Sequence, residues 1–497
     1  MNKEKSSVTN TPFQGWRKIF WPVYPHEAPK VLSLASMMFC VLFNYTVLKD
    51  AKDAIVVTAP GSGAEALNFL KIYGALPFMM GVMALYAKLS TVFKKPTVFY
   101  TSMGMFIGFF FIFGFFLFPA AESLNALPDT ITRWQQAFPR FQWIIPLIGN
   151  WVYSLFYIFA DIWGGFGLSV LFWQFANELT KVDESKRFYP MFGLIGNLGP
   201  FLAGLMVYTL VSTQSHLGAA RCWASCMNWI IGMILINFLA IILLYKWVYR
   251  NYAPKVPATK NRKSKKSSLW ESLKIVFTSK YLLLIAALIL CYGISQNMFE
   301  MTWKSQLKAQ YPDPSNYTKT MGVVSLATSL STVLFMIIGS NILRRFGWYF
   351  SALITPSIML VMGGIFFSCV IASEDSMRPI LNFFNTNTVG LAVVLGGVNF
   401  ALVNGIKYSL FDTTKEMAYI PLPDQLKTQG KAAADGVGGR LGKSLGGMIQ
   451  QVFLITIVGA TQMDLAPYVA TILVIVCILW FFSVTKLRQK FYELEEK

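Results

Sequence analysis

Residues 251–268 read NYAPKVPATKNRKSKKSS and fall almost at the middle of a 497-residue chain. Proline, serine and lysine at that density cannot bury a core, so the stretch is a linker. On its N-terminal side, apolar runs long enough to cross a bilayer recur at residues 31–50, 66–89, 97–119, 143–174, 187–212 and 225–249. On its C-terminal side they recur at 280–302, 320–341, 348–372, 389–410, 438–460 and 466–486. A crossing takes about 20 apolar residues, so the linker separates two groups of six. Each run is far too long for a barrel strand and none alternates polar with apolar, which leaves helices as the spanning form. The run 143–174 exceeds one crossing and must tilt or extend beyond the membrane.

The expected fold is therefore an all-α integral membrane protein of twelve transmembrane helices in two six-helix bundles, major-facilitator-like. Its parts are a cytoplasmic segment (1–30), a first bundle (31–250), a basic linker (251–279), a second bundle (280–486) and a tail (487–497). Composition agrees: 55% of residues are apolar and 13% charged, against about 25% charged in soluble domains. Lys and Arg number 43 against 24 Asp and Glu, a formal charge of +19. Thirty of the 43 fall on the side of the chain ends and linker. Nine fall opposite: Lys49, Lys52, Arg133, Arg140, Arg221, Lys304, Lys308, Lys319 and Arg378. Basic residues in short loops resist translocation, so both termini are expected in the cytoplasm. Lys71, Lys246, Arg440 and Lys443 remain inside the runs; Lys246, near a helix end, can snorkel.

Several chemistries are excluded early. Two histidines, His26 and His216, make neither a His-rich metal site nor a general acid–base pair. The six cysteines lie in apolar segments, and Cys222 with Cys226 is a lone C-x3-C, so buried free thiols are expected rather than zinc or disulfides. No cofactor, no metal and no nucleic-acid partner is expected, and an enzyme is the weakest class. The first thirty residues carry no signal-peptide or transit pattern.

An ionisable group at the bilayer centre costs roughly 2.5–3.5 kcal/mol on insertion scales, so those present need a reason. Asp161 sits inside FYIFADIWGGFG, with Tyr157 one turn before it. Asn297, Glu300 and Lys304 share one helix face in YGISQNMFEMTWK. Lys71 lies near the start of the second run, and Arg440 and Lys443 are three apart in GGRLGKSLGG. Each has a plainer reading. Lys71 could snorkel, Asp161 could be half of a packing ion pair, and Glu300 with Lys304 could face solvent at the outer interface. Lys49 and Lys52, three apart, are flanked by Asp50 and Asp53, which would neutralise that helix end. Gly438, Gly442 and Gly446 recur every four residues, a face for close helix packing. The basic pair beside it, with no local acidic partner, points to an anion site. GGRLGKS is not a phosphate-binding loop, because Val437 stands where that motif needs glycine and no strand precedes it.

At these residues the sequence resembles the ATP:ADP antiporter family, the nucleotide transporters of rickettsiae, chlamydiae and plastids. The stretches that carry the likeness are residues 43–71 (FNYTVLKDAKDAIVVTAPGSGAEALNFLK), 169–194 (SVLFWQFANELTKVDESKRFYPMFGL), 272–282 (SLKIVFTSKYL), 292–312 (YGISQNMFEMTWKSQLKAQYP), 407–422 (KYSLFDTTKEMAYIPL) and 438–451 (GGRLGKSLGGMIQQ). The resemblance implies a bacterial inner-membrane carrier, functional as a monomer among membrane lipid, that imports ATP in exchange for ADP. It also implies functional roles for Lys71, Asp161, Glu300 and Lys443. Relatives commonly have Glu where this chain has Asp161, a side chain one methylene shorter. Lys71, Arg440 and Lys443 are assigned to phosphates, Glu300 and Asp161 to charge balance, and Asn297 to the adenine edge. Lys49, Lys52, Tyr157 and Lys304 are secondary candidates. The alternatives are proton-coupled nucleotide import, a carrier of other nucleoside triphosphates or NAD, and a lipid-handling or scaffold protein.

Overall fold

The computed structural model describes residues 22–253, 278–423, 434 and 439–495. Most of the expected linker lies outside the described residues, as does the segment before Pro22. Every regular element described is helical. Among the described residues, eleven helices are long and apolar enough to cross a membrane. They are α1 (Ala28–Val57), α2 (Ala64–Val92), α3 (Lys95–Leu117), α4 (Trp151–Leu179), α5 (Arg187–Leu217), α6 (Ala219–Tyr252), α7 (Lys280–Gln310), α8 (Pro314–Gly339), α9 (Asn341–Ile371), α10 (Thr388–Ala418) and α12 (Ala466–Phe491). The shorter α11 (Gly439–Thr456) occupies the place of the eleventh expected crossing. Expected tail residues from Leu487 to Glu495 continue the α12 helix.

Local sequence sets the helix starts. Prolines open α1, α3 and α8, where a missing N–H costs nothing. Asp313, Asn387 and Ser279 cap α8, α10 and α7 by accepting from the N–H groups of Asn316, Gly390 and Leu282. Four spans contain a π-helical turn: Leu70–Ala75 in α2, Phe113–Leu117 in α3, Phe166–Trp173 in α4 and Lys407–Phe411 in α10.

Two readings of helix boundaries change. The run 143–174 is not one tilted crossing. Ile145–Gly149 forms a separate short helix, and the chain breaks at Asn150, whose Nδ2 donates to the carbonyls of Pro60 at 3.0 Å and Pro146 at 2.9 Å. Lys49, Lys52, Lys304 and Lys308 do not lie in outer loops, because α1 and α7 run on to Val57 and Gln310. All six cysteines are buried free thiols.

Packing between α7 and α11 is backbone against backbone. A Cβ added at Gly293 would sit 2.8 Å from the Cα and C of Gly442 and from the Lys443 nitrogen. Gly446 is likewise close to the Ile294 carbonyl. Gly293→Ala should therefore force the helices apart at a cost of about 1–3 kcal/mol, visible as a lower melting temperature in detergent. An unchanged melting temperature would show that the contact yields freely. Helices α5 and α8 meet the same way: a Cβ on Gly204 would lie 2.5 Å from the Gly322 carbonyl oxygen.

Candidate functional site

Between α1, α2 and α4 on one side and α7, α10 and α11 on the other lies a cavity of about 430 Å³, within the usual range for small-molecule sites. Helix α1 gives it Tyr45, Lys49, Lys52 and Asp53, at spacings that share one face. Asn68 and Lys71 come from α2, Asp161 from α4, Gln296, Asn297 and Glu300 from α7, Phe400 and Asn404 from α10, and Lys443 from α11. Lys71 lies in the π turn Leu70–Ala75, a local widening frequent at functional sites. A smaller cavity of about 240 Å³ between Tyr86, Phe99 and Tyr245 holds the Lys95–Glu178 ion pair and no further charge.

The charges divide into paired and unpaired sets. Lys52 Nζ is 3.2 Å from Asp53 Oδ1 and 3.1 Å from Asp161 Oδ1, and it stands 3.8 Å above the Tyr157 ring centroid. Lys304, 0% exposed, lies 2.7 Å from Asp53 Oδ2 and also pairs with Glu300. Two lysines thus engage all three described carboxylates of the cavity wall. Lys49, Lys71 and Lys443 form no ion pair with any described carboxylate, and Lys49 instead sits 4.7 Å from the Phe400 ring centroid. Three like charges held around one cavity repel one another in a medium of low dielectric and favour an anion between them.

Lys71, Asp161, Asn297, Glu300, Lys443, Lys49 and Lys52 therefore come together at one cavity. Lys304 and Tyr157 lie behind its wall, buried, which replaces the reading of Lys304 as solvent-exposed. The side chain of Arg440 lies outside the described residues. The Asp161 side chain reaches Lys52. Tyr45, Asn68, Gln296, Phe400 and Asn404 escaped the sequence reading, although Tyr45 at i−4 from Lys49 and Asn68 at i−3 from Lys71 carry a legible spacing.

The cavity is sealed at the end reached by the C-termini of α1 and α7. There, besides Lys304 with Asp53, Ser325 Oγ donates to both Asp50 oxygens, at 2.8 and 3.0 Å. The Gln462 N–H donates to Glu65 Oε1 at 2.7 Å, Trp143 Nε1 to the Ala460 carbonyl at 3.0 Å, and Lys308 to the Ser62 carbonyl. Each of these bonds joins one of the first six spans, or a loop between them, to one of the last six or to the loop between α11 and α12.

A family model described as TLC ATP/ADP transporter matches residues 6–491. The chain is 39% identical over 487 residues to ADP,ATP carrier protein 1 of Rickettsia conorii, covering 97% of both chains. It is 39% identical over 499 residues to the protein of that name from Chlamydia trachomatis, covering 98% of this chain and 93% of the other. With the chloroplastic ADP,ATP carrier protein 1 of Arabidopsis thaliana it shares 40% over 472 residues, covering 94% and 75%. Among solved structures, a bacterial homologue of the iron transporter ferroportin superposes with a TM-score of 0.57 at 15% identity, over 92% of this chain and 98% of that one. The nucleoside transporter NupG gives 0.55 at 13%, over 92% and 99%. At such identities the likeness is one of fold, and it is the major-facilitator arrangement. With a family model spanning nearly the whole sequence and relatives aligned almost end to end, the chain belongs to the TLC ATP/ADP transporter family.

Proposed function

We propose that this protein exchanges ATP for ADP across a bacterial inner membrane, both termini in the cytoplasm, by rocking its two groups of six spans about the central cavity. The observation that carries the reading is the set Lys49, Lys71 and Lys443, without an ion pair to any described carboxylate, around one cavity whose described carboxylates are engaged by other lysines. A polyphosphate supplies the missing negative charge, and ammonium groups bind its oxygens through charge-assisted hydrogen bonds. Lys71 and Lys443, with Arg440 three residues before Lys443 in sequence, take the phosphates. Glu300 and Asp161 change partners as the site reorients. In the empty site the three lysines repel, so reorientation without a bound anion is disfavoured and transport becomes exchange.

Exchange of ATP at about −4 for ADP at about −3 moves one net charge, worth about 2.3 kcal/mol per 100 mV. Import of ATP into a cell with an inside-negative potential then draws on the concentration gradients of the two nucleotides. The test is uptake of labelled ATP into liposomes with and without internal ADP, repeated with a protonophore. Uptake should require internal ADP and survive the protonophore. Uptake into empty vesicles would end the exchange reading, and collapse with the protonophore would replace it with proton coupling.

A further inference from the structure

We infer that Asn68 and Gln296 read the nucleobase, with Asn297 holding Asn68 in place, and that they select a 6-aminopurine over a 6-oxopurine; the inference rests on the nucleotide reading of the same cavity. Asn297 is tied into the wall through both of its amide atoms. Its Nδ2 donates to Asn68 Oδ1 at 3.3 Å, and its Oδ1 accepts from Gln450 Nε2 at 3.2 Å. The direction of that chain is fixed at its root. The Thr302 hydroxyl donates to the Met298 carbonyl at 3.2 Å, so its oxygen is left to accept from Gln462 Nε2 at 3.3 Å. Gln462 Nε2 also donates to Gln450 Oε1, Gln450 donates to Asn297, and Asn297 donates to Asn68. Turning any one of these amides over would set two N–H groups or two carbonyls face to face.

The relay therefore ends with Asn68 Nδ2 as a donor, and that atom has no hydrogen-bond partner. Gln296 Oε1, an acceptor, has none either. Both residues line the cavity, and they are 1% and 2% exposed. Buried polar atoms of this kind cost free energy when left unsatisfied. Gly447 keeps room for this arrangement: a Cβ there would lie 3.1 Å from Asn68 Oδ1.

One donor and one acceptor form the complement of the adenine edge, where N1 accepts and the 6-amino group donates. In hypoxanthine and guanine both groups are inverted, N1 carrying a proton and O6 accepting. A paired contact of this kind discriminates by about 1–3 kcal/mol, or roughly 5- to 150-fold.

The experiment is competition against labelled ATP uptake in ADP-loaded liposomes. Inosine triphosphate, equal to ATP in phosphate charge, should compete at least tenfold more weakly than ATP. Asn68→Asp keeps the oxygen that Asn297 needs and turns the free donor into an acceptor. It should move the inosine-to-adenosine ratio at least tenfold toward inosine, and Gln296→Met should narrow it. Because the readout is a ratio of two substrates, a general loss of activity does not mimic it. A second measurement needs no variant: 1-deaza-ATP should compete at least tenfold more weakly than ATP on the unaltered protein. Equal competition by inosine triphosphate or 1-deaza-ATP, or an unmoved ratio in Asn68→Asp, overturns the inference while leaving nucleotide exchange in place. No uptake of labelled ATP by the unaltered protein removes the exchange reading, and this inference with it.

Discussion

Lys71→Ala should enter the membrane normally and lose roughly 10- to 100-fold in ATP uptake, the equivalent of one charge-assisted hydrogen bond at about 1.5–3 kcal/mol. The argument lies in what the ammonium touches. Lys71 lines the cavity and forms no ion pair with a described carboxylate, so removing it orphans no buried anion. Repulsion from Lys304 and Lys52 falls together with attraction to Glu300 and Asp53, and the melting temperature should stay near that of the unaltered protein. Lys71→Arg keeps the charge and should retain much of the uptake. Lys443→Ala should behave like Lys71→Ala. Uptake and apparent ATP affinity in vesicles with matched protein content are the measurements, and full uptake in Lys71→Ala would remove that residue from the site.

Lys304→Met should give the opposite signature, a fold-level failure. Lys304 is buried and pairs with Asp53 on α1 and Glu300 on α7. Breaking a buried ion cluster by removing one partner costs about 3–5 kcal/mol, because the remaining charges stay desolvated. The protein should melt earlier in detergent and accumulate poorly in the membrane. Adding Asp53→Asn and Glu300→Gln removes the orphaned charges and should recover much of the melting temperature, but not transport. A melting temperature unaffected by Lys304→Met would contradict the cluster's place in the seal.

The two lysines show what the sequence exposes and what it hides. Apolar runs locate the spans well, since a bilayer leaves the backbone no other way to satisfy itself. Their ends are harder. Lys49, Lys52 and Lys304 read as loop residues because a hydropathy window stops at charge, whereas the helices continue. What permits this is Asp161, more than a hundred residues from Lys52, and Asp53, some 250 residues from Lys304. Such pairings leave no mark on local sequence. Lys71 and Lys443 were legible because nothing nearby in the chain neutralises them. Asn68 and Gln296 were not, since an uncharged amide in an apolar run raises no alarm until its neighbours in space are known. The break at Asn150 escaped for a similar reason: its side chain ties down the Pro60 carbonyl, ninety residues away in the chain.

The π turn at Leu70–Ala75 adds one residue to the ordinary helical repeat just where Lys71 stands. At 3.6 residues per turn, one residue is about 100° of rotation. Everything in α2 beyond the turn, including Leu76 and Met79 on the cavity wall, is therefore indexed to a different direction than an unbroken helix would give. The number of residues between Asn68 and Met79 is thus as much a part of the cavity as their identities. A one-residue length change here, harmless to hydropathy and to helix propensity, would re-aim half of the helix.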